Sequence, residues 1–143
     1  MSAKRGLGPL YYGAVRQPWG RGAAAGGWIV VSGIDGVVDD SGNEVPGIAG
    51  QTVVVLERLR LILAEAGATL DDIVSLDQYL ADPGERSEYM RVRDGWLGKH
   101  AHGLLTRRDH ASLLVYPRLA SPAMRVEIRA TAYHQDPTAA ETP

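Results

Sequence analysis

The sequence predicts an α+β domain, a mixed β-sheet with two helices packed on one face. Three features carry that reading. Ile48, Thr52, Val55, Leu59, Ile62 and Leu63 recur at three- and four-residue steps, which puts them on one side of a helix. Met124, Val126, Ile128, Ala130 and Ala132 alternate with Arg125, Glu127, Arg129, Thr131 and Tyr133, the period of a strand with one apolar face. Between them, AEAGATLDDIVSLDQYLAD (64–82) reads as a helix end, a tight hinge and a new strand.

Taken in order, LYYGAVR (10–16) reads as a short edge strand. RQPWGRGAAAGG (16–27), punctuated by Pro and Gly, reads as a loop. WIVVSG (28–33) is a buried strand closed by Gly33, and DGVVDDSGNEVPG (35–47) is a loop with room for a small hairpin. The first helix runs from Ile48 to Ala66, with Glu57, Arg58, Arg60 and Glu65 on its other faces. Gly67 fits the left-handed position that ends a helix. Thr69 and Asp72 have capping-box spacing, and IVSLDQYLAD (73–82) follows as a strand. PGERSEYMRVRDGWLGKHA (83–101) opens on Pro-Gly and forms the second helix, with Tyr89, Val92, Trp96 and His100 along one face. LLTRRDH is a loop, and ASLLVYPRL (111–119) and AMRVEIRATAYH (123–134) are the last strands. The predicted order is β-β-α-β-α-β-β in one domain, residues 1–134, with 135–143 as a frayed polar tail. The Arg- and Glu-bearing face of the last strand stays uncovered in a monomer, and closed symmetric association would cover it.

A chain of 143 residues can bury a core without metal or disulfide support. A net charge of −2 gives no electrostatic case for nucleic acid. The chain has no cysteine, which excludes disulfides and thiolate nucleophiles and suits a reducing cytosol; a cytoplasmic protein is expected. No stretch approaches the roughly 20 apolar residues of a membrane span, and the first residues lack the apolar core of a secretory signal. His100, His102 and His134 sit in no ligand-spaced carboxylate constellation, so no metal is expected. The glycines of GRGAAAGG lack the lysine of a phosphate loop.

A strand ending in Ser32-Gly33, Gln51 at a helix start, ILAEAGATLDDIV (62–74), a strand ending YLAD and VEIRATA (126–132) occur here in that order. Together, over about residues 17–134, they resemble the Rid family (RidA, also called YjgF or UK114), with AGATLDDIV the most specific part. The hinge is then mostly architectural, turning the chain from the long helix into the central strand. The resemblance implies a chorismate-mutase-like fold and a homotrimer with clefts between subunits. It also implies hydrolysis of reactive imines and enamines to ketoacids and ammonia. No cofactor is required, because the C=N carbon is already electrophilic.

Carried over by position, Glu127 matches the family's water-positioning glutamate and Gly33 its turn glycine. The backbone after that turn, at Ile34 and Asp35, would complete the cleft. Trp19 stands where many members have a tyrosine. The family's carboxylate-binding arginine falls on Ala111, followed by Ser112; Leu113 stands where the family has a cysteine, and Arg93 where it has an asparagine. A guanidinium gives a bidentate, charge-assisted grip on a carboxylate, and a methyl gives none. Arg93, Arg107, Arg108 and Arg118 are the candidate substitutes. His110 is a candidate acid or base beside Ala111.

Simpler readings stand beside these. Glu127 could pair with Arg125 or Arg129, Asp35 could be a turn former, His110 a solvated loop residue, Trp19 an anchor of the glycine-rich loop, and Trp96 helix core. The expected function is a trimeric imine or enamine deaminase with catalytic Glu127 and His110, acting on a non-standard small molecule. The alternative is a non-catalytic trimer that binds a metabolite or a protein. Neither membrane nor nucleic acid is an expected partner.

Overall fold

The computed structural model describes residues 3–135; the expected tail, apart from Gln135, lies outside them. The chain begins with β1 (Arg5–Gly6), β2 (Pro9–Tyr12), β3 (Val15–Gly20), β4 (Gly22–Ala25), β5 (Trp28–Val31) and β6 (Ile34–Asp35). It continues through α1 (Ile48–Glu65), β7 (Ile73–Leu80), α2 (Arg86–His100), α3 (His102–Arg107), β8 (Ala111–Val115) and β9 (Val126–Tyr133). The main sheet runs β1-β4-β5-β9-β7-β8, and β6 also pairs with β9. Only β7 and β8 are parallel, so the sheet is mixed, as predicted.

The helices cover one face of the sheet, and the core lies between. Ile48, Val55, Leu59, Ile62 and Leu63 of α1 are buried against Val126, Ile128, Ala130 and Ala132 of β9 and Leu76 and Leu80 of β7. The two periodicities read from sequence therefore meet face to face. Gly67, at φ 87°, ends α1 as expected, and Thr69 with Asp72 closes the capping box at the hinge. β7 carries an irregularity between Ile73 and Ser75, so Ile73 and Leu76 both point inward although they break strict alternation.

Three local expectations change. His102–Arg107, of which Leu104–Arg107 read as loop, is a third helix; Ala101 and Leu104 anchor it in the core, and Arg108, at φ 52°, ends it. The buried face of α2 is Tyr89, Arg93, Trp96 and Leu97, while His100 is exposed and stacks on Trp96 at 4.3 Å between ring centroids. Residues 16–25, read mostly as loop, are strands. β2 and β3 make a separate hairpin around Gly13, and β4 pairs with β5. Gly22 makes the last pairing possible, because a Cβ there would lie 3.0 Å from the Val31 Cα and closer still to the Val30 carbonyl.

One buried side chain ties the layers together. Gln51, on the first turns of α1, donates to the carbonyls of Val45 and Ala123 (2.9 Å each) and accepts from the Arg125 N–H (2.8 Å). It fixes both the loop before α1 and the entry to β9, the strand that carries Glu127. Among the described residues, no helix is long and apolar enough to cross a membrane.

Candidate functional site

The uncovered face of the sheet carries a cleft at the end of β9. Glu127 is held there by four neighbours. Asp35 of β6 and Tyr79 of β7 flank it in register on either side. Gly33 lies directly beneath its carboxyl, where a Cβ would fall 2.9 Å from the Glu127 Cδ. The absence of a side chain at Gly33 is what gives the carboxylate its seat. The fourth neighbour comes from the N-terminal hairpin. The Tyr12 hydroxyl lies 3.0 Å from the Gly33 carbonyl oxygen and 3.2 Å from Glu127 Oε1.

Two hollows open onto this carboxyl. One, of about 530 Å³, is bounded by Tyr12, Trp19, Ser32, Gly33, Glu127 and Arg129. The other, of about 350 Å³, is bounded by Gly33, Tyr79, Arg118, Leu119, Glu127 and Arg129. They share Gly33, Glu127 and Arg129, so they form one groove with the acid at its centre. Trp19 is 53 % exposed and forms part of the wall.

Burial raises the Glu127 carboxyl above its ordinary value, opposed by the hydrogen bond from Tyr12 and aided by the neighbouring Asp35 charge. Asp35 is only 5 % exposed and is raised by its own burial, opposed by an N–H from Val37 and the charge of Arg58. Tyr12 is pushed up to about 12 by burial and then by the Glu127 charge. The pocket thus holds its acids toward the neutral form. A carboxyl raised in this way gives up its proton less readily than a free one, which suits a group that must donate a proton and take it back.

The other expected residues lie elsewhere. Ala111 opens β8 opposite Ser75, four positions along β7 from Tyr79 and on the far side of that strand from Glu127. At about 3.3 Å per residue and 4.8 Å per strand spacing, Ala111 and Glu127 are about 16 Å apart in one protomer. Ser112 neighbours Ala111 and is exposed. His110 is half-buried beside them; burial, then the nearby Arg93 charge, lowers its pKa.

Arg93 is 9 % exposed and faces the helix side of the sheet, where it donates to Gln78 Oε1 (2.9 Å) and pairs with Asp94. Ile34 is core, paired with Ile128. Arg107 is tied to Asp71 and Asp109 on α3, and Arg108 is exposed at the end of that helix. Of the four candidate arginines, Arg118 alone lines the Glu127 groove.

One protomer therefore unites Glu127, Gly33, Trp19 and Asp35, and keeps His110, Ala111, Ser112 and Arg93 at a separate place. Two groove residues escaped the sequence reading in this role. Tyr12 sits on a hairpin whose contact with Glu127 spans 115 positions. Arg129 had the visible signal of sharing the Glu127 face two residues on. Arg125, the other simple partner for Glu127, pairs instead with Glu85 and Asp82. No ion pair to Glu127, Arg118 or Arg129 is present among the described residues. Those residues also contain no group of three or more His, Asp or Glu placed to hold a metal.

Comparison with known proteins places this groove in context. A family profile described as endoribonuclease L-PSP matches residues 13–134. A RutC family protein of Pyrococcus abyssi is 32% identical over 83 residues, 57% of this chain and 65% of that protein, so the match spans just under two thirds of the relative. Among solved structures, Rv2704 of Mycobacterium tuberculosis, a member of the YjgF/YER057c/UK114 family, is 32% identical with TM-score 0.64, covering 81% of this chain and 86% of its own. NMB1025 of Neisseria meningitidis, a YjgF family member, is 31% identical with TM-score 0.69, covering 92% and 99%. The YjgF product of E. coli shares the fold at TM-score 0.77 with 20% identity, covering 92% and 99%.

Proposed function

The chain belongs to the endoribonuclease L-PSP family, which is the YjgF/UK114 or Rid family, and from that premise we propose that it hydrolyses a reactive imine or enamine. Family membership supports a small-molecule-processing role, and the finer reading rests on the groove. The observation that carries it is the Glu127 carboxyl, seated over Gly33 and raised by burial, opening onto a cleft.

The chemistry balances without a cofactor. The carboxylic acid protonates the C=N nitrogen, and the resulting iminium is attacked by water. The carboxylate takes one proton from that water. It returns the proton to nitrogen, ammonia leaves, and the hydroxyl proton restores the acid. The products are a carbonyl compound and ammonia. Glu127 touches both the reacting water and the nitrogen in this scheme, and the Gly33 turn holds it in place.

Ala111 gives no carboxylate grip, so the anchor must come from elsewhere. Arg118 and Arg129 border the Glu127 groove and are free of ion pairs among the described residues. We assign them the electrostatic attraction of an anionic substrate. His110 and Ala111 reach a Glu127 groove only if copies of the chain meet, and the open, Arg- and Glu-bearing sheet face is where a trimer would form. His110 is then an acid–base candidate contributed from a neighbouring copy.

The test is direct. Purified protein is incubated with 2-aminoacrylate generated in situ, and its disappearance is followed. Loss faster than the spontaneous rate, abolished by Glu127→Ala, supports hydrolysis. Binding of small molecules in a thermal-shift screen with no acceleration favours a non-catalytic trimer. Ala111→Arg gains turnover of this small imino acid if only the family anchor is missing. Cleavage of an RNA substrate would instead support the activity in the family's description, against a net charge of −2.

A further inference from the structure

Two carboxyls stand side by side at the end of the sheet. Asp35 of β6 is the direct antiparallel partner of Glu127 of β9. Residues opposed in this way share a face, with Cβ atoms about 5 Å apart, and like charges there repel. Asp35 is also buried, at 5 % exposure. Its backbone is fixed from the next residue on. A Cβ at Gly36 would lie 3.1 Å from the Gln51 Cα, so the strand end is pressed onto α1.

No cation neutralises the pair. Among the described residues no ion pair reaches either carboxylate. Arg58 comes nearest, but its guanidinium donates to the main-chain carbonyls of Asp35 (2.8 Å) and Val38 and pairs with Asp40. The two acids are nevertheless not equivalent. The Val37 N–H, 3.4 Å from Asp35 Oδ2, and the charge of Arg58 favour the anion at Asp35 against the cost of its burial. Glu127 has the Tyr12 hydroxyl at 3.2 Å, and it has Asp35 beside it.

We propose that Asp35 is a positioning residue that carries a fixed negative charge beside Glu127, so that Glu127 keeps its proton until the substrate nitrogen takes it. A second carboxylate beside Asp35 is disfavoured until a cation is present, and the iminium formed by the transfer is that cation. One proton moves, from the Glu127 carboxyl to the C=N nitrogen, and Asp35 itself exchanges none. This deepens the hydrolase reading and rests on it for its catalytic meaning, but the order in which the two acids ionise is measurable without a substrate.

The other groups around Glu127 set the balance that Asp35 must outweigh. From the β2–β3 hairpin, Tyr12 donates to Glu127 and favours its ionised form. From β7, Tyr79 stands opposite it on the other side. Arg129 of β9 and Arg118, after β8, line the groove and also favour the ionised form, but both are exposed and screened by water.

The experiment is an NMR titration of side-chain carboxyls in the full chain, each assigned through its own backbone signals, with Asp35→Asn as the variant. The asparagine keeps the shape and removes the charge. In the wild type, Asp35 is expected to ionise at lower pH than Glu127, and in Asp35→Asn the Glu127 midpoint is expected to fall. Glu127 ionising first in the wild type overturns the proposal, and that readout needs no variant to fold. An unmoved or raised Glu127 midpoint in Asp35→Asn overturns it as well. With 2-aminoacrylate generated in situ, the variant should lose kcat about 10-fold or more, and the limb of its pH–rate profile that reports loss of the acid should move to lower pH. Lost kcat with that limb in place would mark a merely structural role and overturn the proposal. The expected titrations in a protein inert toward 2-aminoacrylate would leave the acid pair standing and remove the hydrolase reading instead.

Discussion

Replacing Gly33 by alanine isolates the seat of the Glu127 carboxyl, the acid of the proposed reaction. The three atoms nearest an added Cβ all belong to the Glu127 side chain: Oε1, Cδ at 2.9 Å and Cγ at 3.3 Å. Gly33 does not occupy the left-handed region, so the alanine backbone is unstrained and the clash acts through Glu127 alone. The carboxyl must swing away and lose its Tyr12 contact, a bond of about 1 kcal/mol, with about 1–3 kcal/mol of overpacking added. Against this, alanine restricts the unfolded chain and returns about 0.4–1 kcal/mol. The net cost in the wild-type background is about 1–3 kcal/mol.

In a Glu127→Ala background the clash disappears, and the same change is neutral or stabilises by about 0.4–1 kcal/mol. The assay is a double-mutant cycle of chemical denaturation at one protein concentration, with turnover of in situ 2-aminoacrylate measured in parallel. A coupling of about 2 kcal/mol or more, together with loss of turnover in the single Gly33→Ala variant, is expected. Equal cost of Gly33→Ala in both backgrounds would refute the claim that this glycine exists to seat the acid.

Three further predictions follow from the same geometry. Gln51→Ala removes bonds to Val45, Ala123 and Arg125 and leaves those groups without that partner; a loss of about 3 kcal/mol is expected by denaturation. Glu127 is raised on folding, so its stabilising effect is complete below the ordinary carboxyl range and is lost as pH rises through its higher folded value. Glu127→Gln should therefore match the wild type in acid and exceed its melting temperature progressively as pH increases, a trend that constant differences across pH would contradict. Arg129→Ala and Arg118→Ala should each raise KM for an anionic substrate by about 10- to 100-fold with a smaller change in kcat, the signature of lost binding. Unchanged KM in both would remove them as anchors.

Periodicity alone settled the frame of this protein. The apolar steps of α1 and the alternation of β9 are local patterns, and each had only one way to bury its apolar side. The hinge at Gly67–Asp72 was equally legible, because a left-handed glycine and a capping box are chemistry within a few residues. The short helix at His102–Arg107 and the strand at Gly22–Ala25 were not. Their formation depends on Leu104 finding a core and Gly22 finding the backbone of β5.

The same division runs through the groove. Glu127 and Gly33 could be named from a resemblance, but that one sits on the other is a contact 94 positions apart along the numbering. Tyr12 reaches them from the opposite end of the chain, and Arg93 turned inward because Gln78 waited for it on the helix side. Alternation in the chain indicates which side of a regular strand a residue faces, as in β9, and fails where the ladder slips, as between Ile73 and Ser75 of β7. Which distant group it then meets depends on how the folded layers stack.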